Sequence, residues 1–246
     1  MNDQDLERYS RQLLVPGLEL EGQDALAAAH VLVVGCGGLG ALASMYLGAA
    51  GVGQLTLVDP DVVELSNLPR QVAFTEEDIG QPKAEALAAR LCAMNSALAC
   101  SPKVGWFSDE SAEDLLGGVG GVIDGTDNHL GRQSIDRQTA ARGIPWFMGG
   151  AVQMAGQNVA FSADRREGCY HCLAPQAVDT EANPCATLGI LGPVVGSVAL
   201  QQAMDVLAWL TAVSAVPWGV LRQKDFRSGE VANLAIDKRI ACPVCH

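Results

Sequence analysis

His30-Val31-Leu32-Val33-Val34 runs into Gly35-Cys36-Gly37-Gly38-Leu39-Gly40, on through ALASMYLGAAG, and up to Gln54-Leu55-Thr56-Leu57-Val58-Asp59. The apolar run 31–34, closed by glycines, reads as a strand buried on both faces, as the strands of a parallel sheet are. Residues 38–51 read as a helix, and QLTLVD as a second strand ending at an acid. Together they make one βαβ unit. The glycine cluster follows a strand and opens a helix, as a G-x-G-x-x-G nucleotide loop must, and its glycines let backbone approach phosphate. Asp59 stands where a carboxylate accepts hydrogen bonds from ribose hydroxyls. Such a loop serves NAD and ATP alike, and a ligand-free tight turn uses the same residues. No Gly-Lys-Ser/Thr follows, so this is not the loop of the P-loop NTPases.

The alternation continues downstream. PKAEALAARLCAMN reads as a helix, ALACSPKVGW and GGVIDGTD as strands, and IPWFMGGAV as a further strand. Between the last two, NHLGRQSIDRQTAARG reads as a helix with Asn128 as N-cap and Gly143 just past its end. Strands and helices alternating over 31–152 predict a doubly wound, Rossmann-like α/β fold with a mainly parallel sheet. Upstream, two short helices open the chain: Leu6, Tyr9 and Leu13 fall on one helical face, and EGQDALAAA is a strong helix former. Beyond Gln153 come short strands (QNVAFSA, GVLRQKDFR, EVANLAID), a Cys-rich loop and a long apolar helix near 194–210. These C-terminal strands are expected to extend the sheet in antiparallel fashion and to form no core of their own.

Sixteen Lys and Arg against 28 Asp and Glu leave a net charge of -12 over 246 residues, 49% of them hydrophobic. That apolar fraction excludes a disordered chain. The acidity opposes a phosphate-driven grip on nucleic acid but leaves small anions open as ligands. MNDQDLERYSRQLL lacks the basic start and apolar middle of a secretory signal. The apolar stretches 188–200 and 206–218 are broken by Gly or Pro and fall short of the ~18 residues of a spanning helix. The chain is expected in the cytoplasm, with no membrane span and no nucleic-acid partner. Its eight cysteines then point to metal or catalysis and not to a disulfide framework.

A triphosphate needs cations that a dinucleotide largely does without. The loop Asp59-Pro60-Asp61-Val62-Val63-Glu64-Leu65-Ser66-Asn67-Leu68-Pro69-Arg70-Gln71 is long for a strand-to-helix link and carries Asn67 and Arg70. Lys83 follows at the start of a helix, where the helix dipole adds to its charge. Each alone reads equally as a solvated surface group. The strand ending Asp124-Gly125-Thr126-Asp127-Asn128 brings two carboxylates to the carboxyl end of the sheet, an oxygen-rich place suited to Mg²⁺ on phosphates, or to capping the next helix. Cys169-Tyr170-His171-Cys172 and Cys242-Pro243-Val244-Cys245 are two C-x-x-C pairs. Four thiolates make a closed tetrahedral Zn²⁺ site that would staple the chain's end to an internal loop. Catalytic zinc and a redox dithiol are the alternatives, and four sulfurs leave no position open for substrate. Cys185 follows Asp179, Glu181 and Asn183-Pro184, an exposed setting that suits a cysteine visiting an acyl group as well as a free thiol. Cys36, Cys92 and Cys100 are expected in the core.

Taken in order, Arg8-Tyr9-Ser10-Arg11-Gln12, the glycine loop, Ser66-Asn67-Leu68-Pro69-Arg70-Gln71, Gly80-Gln81-Pro82-Lys83 and Thr126-Asp127-Asn128 resemble the ThiF/HesA/MoeB family. These are adenylyltransferases related to ubiquitin-activating enzymes, and the likeness is nearest to the molybdopterin-synthase branch. The resemblance implies one adenylation domain over 1–246: helices in 1–30, a nucleotide-binding core in 31–152, and a carrier-binding, zinc-stapled part in 153–246. It implies that Gly35, Gly37, Gly38, Gly40 and Asp59 hold ATP, and that Asn67, Arg70 and Lys83 contact its phosphates. Asp127 would hold Mg²⁺, and Arg11 would reach the ATP site of a second subunit in a homodimer. Cys185 would form a covalent link with the carrier or its sulfur, and Cys169, Cys172, Cys242 and Cys245 would bind structural Zn²⁺. The substrate would be the Gly-Gly carboxylate of a ubiquitin-like sulfur carrier of the MoaD or ThiS type, adenylated on the way to a thiocarboxylate in molybdopterin or thiamine synthesis. A separate persulfide donor would supply sulfur. A groove near Gly149 and Gly150 would admit the carrier tail. Two rivals use the same glycine loop: an NAD-dependent oxidoreductase, which the cation set and the lack of a placed hydride-transfer acid disfavour, and a nucleotide-binding scaffold without turnover.

Overall fold

The computed structural model describes residues 1–176 and 188–245. Its elements are, in order, α1 (Asp3–Arg8), α2 (Glu19–Ala28), β1 (His30–Val34), α3 (Gly38–Ala50), β2 (Gln54–Asp59), α4 (Lys83–Met94), β3 (Ala99–Val104) and α5 (Ala112–Leu116). There follow β4 (Gly121–Asp124), α6 (His129–Arg142), β5 (Trp146–Val152), β6 (Ala155–Phe161), α7 (Tyr170–Leu173), α8 (Gly192–Thr211), β7 (Val220–Asp225) and β8 (Val231–Ala235). The strands form a single sheet in the order β3-β2-β1-β4-β5-β6-β7-β8. Strands β1 to β5 pair in parallel, and β6, β7 and β8 add on as an antiparallel meander. The α/β class, the parallel core and the antiparallel extension are those the sequence predicts.

The strands show why the fold is doubly wound. Val31 and Val33 of β1, Ile123 of β4 and Phe147 of β5 enter one apolar cluster, beneath α2, α3, α4 and α8. Their neighbours Leu32, Val34, Val122, Trp146 and Met148 enter a second, beneath α5, α6 and α7. Side chains alternate across a strand, so a continuous apolar run feeds both faces at once. Burying each such side chain contributes about 1.5–3 kcal/mol.

Three expectations need correction. Leu6, Tyr9 and Leu13 do not share a helical face, because α1 ends at Arg8 with Tyr9 as its C-cap. Leu6 is exposed, while the buried Tyr9 hydroxyl accepts from Asn95 Nδ2 at 3.1 Å. The third strand stops at Val104, short of Trp106, where Gly105 turns the chain away at φ +158°. The long apolar helix expected near 194–210 is present as the 20-residue α8, with Pro193 in its first turn where no N–H is needed, so the expectation that falls is that the apolar run is too short to span. Helix α8 is long and apolar enough to cross a membrane by length and composition, but half of that window is buried inside the protein. Its buried Gln202 donates to the carbonyls of Asp124 (2.7 Å) and Phe147 (3.0 Å), and its Asp205 pairs with Arg222.

Candidate active site

The carboxyl ends of β1, β2 and β4 lie level, with Val34 opposite both Val58 and Asp124. The chain leaves β1 towards β2 on one side while β4 lies on the other, the switch point at which open α/β sheets bind ligands. A cleft of about 1060 Å³ opens there and runs along the sheet edge from Trp106 and Phe107, past the glycine loop, to Gln223 and Lys224 on β7.

The glycine loop forms the floor. Gly35 adopts φ +88°, and a Cβ there would come within 2.9 Å of Gly125. A Cβ on Gly40 would collide with the Gly35 carbonyl, and one on Gly38 would meet Arg70 O at 2.7 Å and Val195 Cγ1 at 2.6 Å. Gly37, the N-cap of α3, has open space up to Gln71 at 3.5 Å. The α3 N-terminus, with Gly37, Gly38 and Leu39, lines the cleft, an anion-binding arrangement. Asp59 is 5% exposed and accepts from Cys36 N–H (2.7 Å) and Asp61 N–H (2.8 Å). Burial raises its carboxyl above the ordinary range, against those N–H groups and Lys83.

Two cations line the cleft beside this floor, Arg70 from the long loop and Lys83 from α4. Arg70, half-buried, donates to Ser66 O at 2.9 Å, and Asn67, buried, accepts from Glu64 N–H at 3.2 Å. Lys83 is the first residue of α4, is 6% exposed, and reaches Asp61 at 2.9 Å. Gln71 Oε1 is buried on the cleft wall without a hydrogen-bond partner. Buried polar atoms are normally paired, so a polar ligand fits what the wall offers.

At the far side of the floor the two carboxylates part company. Asp124 is fully buried in β4, accepts Thr126 N–H at 2.7 Å and pairs with Arg132 at 3.4 Å, so it does not join Asp127 in an open oxygen site. Asp127 is exposed on the cleft wall, and Asn128 caps α6 by accepting Gly131 N–H at 2.7 Å. Arg132 also donates to Thr126 O (2.7 Å) and Gly149 O (2.9 Å) and lines the cleft. Neither Arg132 nor Trp106 stands out in the sequence. The available signals were an arginine one turn past an N-cap and an aromatic just beyond a strand's carboxyl end.

Cys169, Cys172, Cys242 and Cys245 converge away from the cleft, their sulfurs all within 4.8 Å of one another. Three of the separations are 3.8, 3.5 and 3.5 Å. With metal–sulfur bonds of about 2.3 Å the edge of a tetrahedron is about 3.8 Å, so the four fit one ion. Backbone N–H groups aim at the sulfurs, Arg239 at Cys172 (3.4 Å) and Val244 at Cys242 (3.5 Å), which favours thiolates. Burial pushes the Cys242 thiol up, but the N–H groups of Val244 and Cys245 bring it down to about 7, whereas burial leaves the Cys169 thiol raised and pushes Cys245 up to about 12.

The other predicted residues fall elsewhere. Arg11 is exposed and not among the residues lining the cleft. Gly150 lines the cleft, whereas Gly149 is packed under Gln202, 2.6 Å from where its Cβ would be. Cys36 is buried as expected, but Cys92 is exposed and Cys100 half-buried beside it, its thiol pushed up to about 12 by burial and by Cys92. Helix α4 turns position 92 outward. Cys185 lies outside the described residues.

The model of the ThiF family matches residues 9–244. The sulfur carrier protein ThiS adenylyltransferase of Escherichia coli K12 is 39% identical over 245 residues, 100% of this chain and 97% of its own. The molybdopterin-synthase adenylyltransferase of Salmonella typhimurium LT2 is 34% identical over 245 residues, 100% of this chain and 98% of its own. Among solved structures, E. coli MccB with ATP superposes with a TM-score of 0.84 at 23% identity, over 97% of this chain and 74% of that one, a likeness of fold.

Proposed function

The chain belongs to the ThiF family, and from that premise and the cleft's geometry we propose that it uses ATP to adenylate the Gly-Gly carboxyl terminus of a ubiquitin-like sulfur carrier, for molybdopterin or thiamine synthesis. One observation carries the reading: a single cleft joins the glycine loop and its cations to a second arm along β5, β6 and β7. A nucleotide fills the first arm, and an extended peptide tail fits the second.

Strand order supports one lie of the nucleotide. Phosphates belong over the loop after β1, ribose on Asp59 at the end of β2, and the base beyond it at Trp106, past β3. The tail runs past Gly150 towards Gln157 and Lys224. Its carboxylate oxygen attacks the α-phosphorus, the bond from that phosphorus to the β-phosphate bridging oxygen breaks, and pyrophosphate leaves with the electron pair. The products are an acyl-adenylate and pyrophosphate. No side-chain nucleophile is needed. Arg70 and Lys83 neutralise charge building on the leaving group, with Lys83 released from Asp61 as phosphate arrives, and α3 N–H groups hold the transferring phosphate. Asp127, exposed on the cleft wall beside the N-cap Asn128, would hold Mg²⁺, which would supply positive charge to the phosphates. Zn²⁺ on the four cysteines anchors the C-terminal tail and takes no part in the reaction.

Sulfur then comes from a separate persulfide donor. The working unit is a homodimer in the cytoplasm, with Arg11 entering the partner's nucleotide site and Cys185 forming a covalent link with the carrier or its sulfur. Incubating chain, Mg²⁺, ATP and carrier tests the core of this reading: intact mass spectrometry shows an AMP-sized increment on the carrier, absent from a carrier lacking its last glycine. An increment on both carriers, or on neither, contradicts it.

A further inference from the structure

Tyr170 stands between the two cysteines of the first C-x-x-C pair and is 2% exposed. Its phenolic oxygen lies 2.5 Å from Nδ1 of His129, and the two rings stack at 6.3 Å. The other side of its ring meets Trp146 edge-on at 5.7 Å. His129 is the first residue of α6, lines the cleft and follows Asp127 by two positions. One residue beyond Tyr170, His171 N–H donates to Asp136 Oδ2 at 3.1 Å. Positions 129 and 136 are seven apart, two turns on one helix face. Helix α6 is thereby fastened at its first turn and its middle to the four-residue α7 that carries Cys172.

We propose that Tyr170 and His129 are a positioning pair that holds Asp127 and the first turn of α6 against the cleft, so that a metal on the four cysteines strengthens binding of Mg-nucleotide. This rests on the nucleotide reading given above. A metal held by Cys169 and Cys172 fixes the backbone on both sides of Tyr170 and so the direction of its hydroxyl. That hydroxyl fixes the His129 ring, and the ring fixes the start of α6. Asp127 would touch nucleotide only through Mg²⁺, so the coupling belongs to the magnesium complex more than to the bare nucleotide.

The test is calorimetric titration of the zinc-loaded full chain with a non-hydrolysable ATP analogue, with and without Mg²⁺, alongside metal content and thermal midpoint. Tyr170→Phe keeps the ring on Trp146 and loses only the hydroxyl. It is expected to keep its zinc and its midpoint, and to bind the Mg-analogue about five- to twentyfold more weakly, within the usual span of coupling between sites. The bare analogue should bind almost as well as to wild type. His129→Gln, which retains a hydrogen-bonding side chain, should recover part of the loss that His129→Ala shows. Removing zinc from wild type should weaken the Mg-analogue by a similar factor, and weaken Tyr170→Phe little further. Should chelation unfold the chain, the two substitutions decide alone. Equal affinity in Tyr170→Phe, or an equal loss with and without Mg²⁺, overturns the inference and leaves the nucleotide reading standing. Failure of wild type to bind the analogue at all overturns both.

Discussion

A lysine at the first residue of a helix opposes the helix dipole. Lys83 stands there nonetheless, 6% exposed, and among the described residues its ion-pair partner is Asp61, itself 59% exposed. A pair open to water on one side is worth less than about 1 kcal/mol, so the position is explained by what enters the cleft. Lys83→Ala is expected to lower kcat/KM for adenylation by about 100-fold or more and to move the thermal midpoint by only a few degrees at most. Exchange kinetics beside a melting curve measure both. Arg132 is the opposite case. Burial, the largest influence, raises the Asp124 carboxyl, and Arg132 pulls it back. A carboxyl raised on folding contributes stability that is full below its unfolded value near 3.9 and lost as pH climbs through the folded one. Arg132 offsets that loss, so Arg132→Met should destabilise the fold by about 3–5 kcal/mol at neutral pH, and by less as pH falls and Asp124 takes up a proton. Denaturant titrations at two pH values read the difference.

At the scale of elements, the proposed nucleotide pose, with phosphates over the glycine loop and ribose on Asp59, puts the base past β3. Trp106, 68% exposed just past β3, is the most exposed tryptophan among the described residues. ATP should change its emission, and Trp106→Phe should abolish the change while Asp59→Ala weakens the titration. Emission unmoved by a saturating nucleotide would place the base elsewhere. The strands themselves were legible because an apolar run bounded by glycine has one reading in a βαβ context, and the motif residues Gly35, Asp59, Lys83 and Asp127 carry spacing signals. The two opening helices were legible too, but the end of the first was not, because the Asn2–Asp5 capping box and the Tyr9 turn make a six-residue helix inside a longer periodic pattern. Nor was the Asp124–Arg132 pair, which depends on β4 and α6 meeting in space. Cys92 was misread because a short apolar helix does not announce which face it buries.

Over the whole molecule one cleft follows the sheet's carboxyl edge: β1 to β4 carry the arm at the glycine loop, and β5 to β7 the second arm. Arg11 is a motif residue exposed away from its own cleft, which is sensible if it serves a second copy. Arg11→Ala and Lys83→Ala chains, each inactive alone, should then complement when mixed and dissociated together. A hybrid dimer holds one intact site, giving about a quarter of wild-type activity from an equal mixture. No recovery would put Arg11 outside the partner's site. The central claim is tested most directly by ATP–pyrophosphate exchange with the zinc-loaded chain and Mg²⁺, sulfur carriers ending in Gly-Gly being added one at a time. The account predicts exchange that depends on one carrier and is lost in Asp127→Ala. Exchange with none of them, in a protein that instead retains a nicotinamide cofactor, would contradict it.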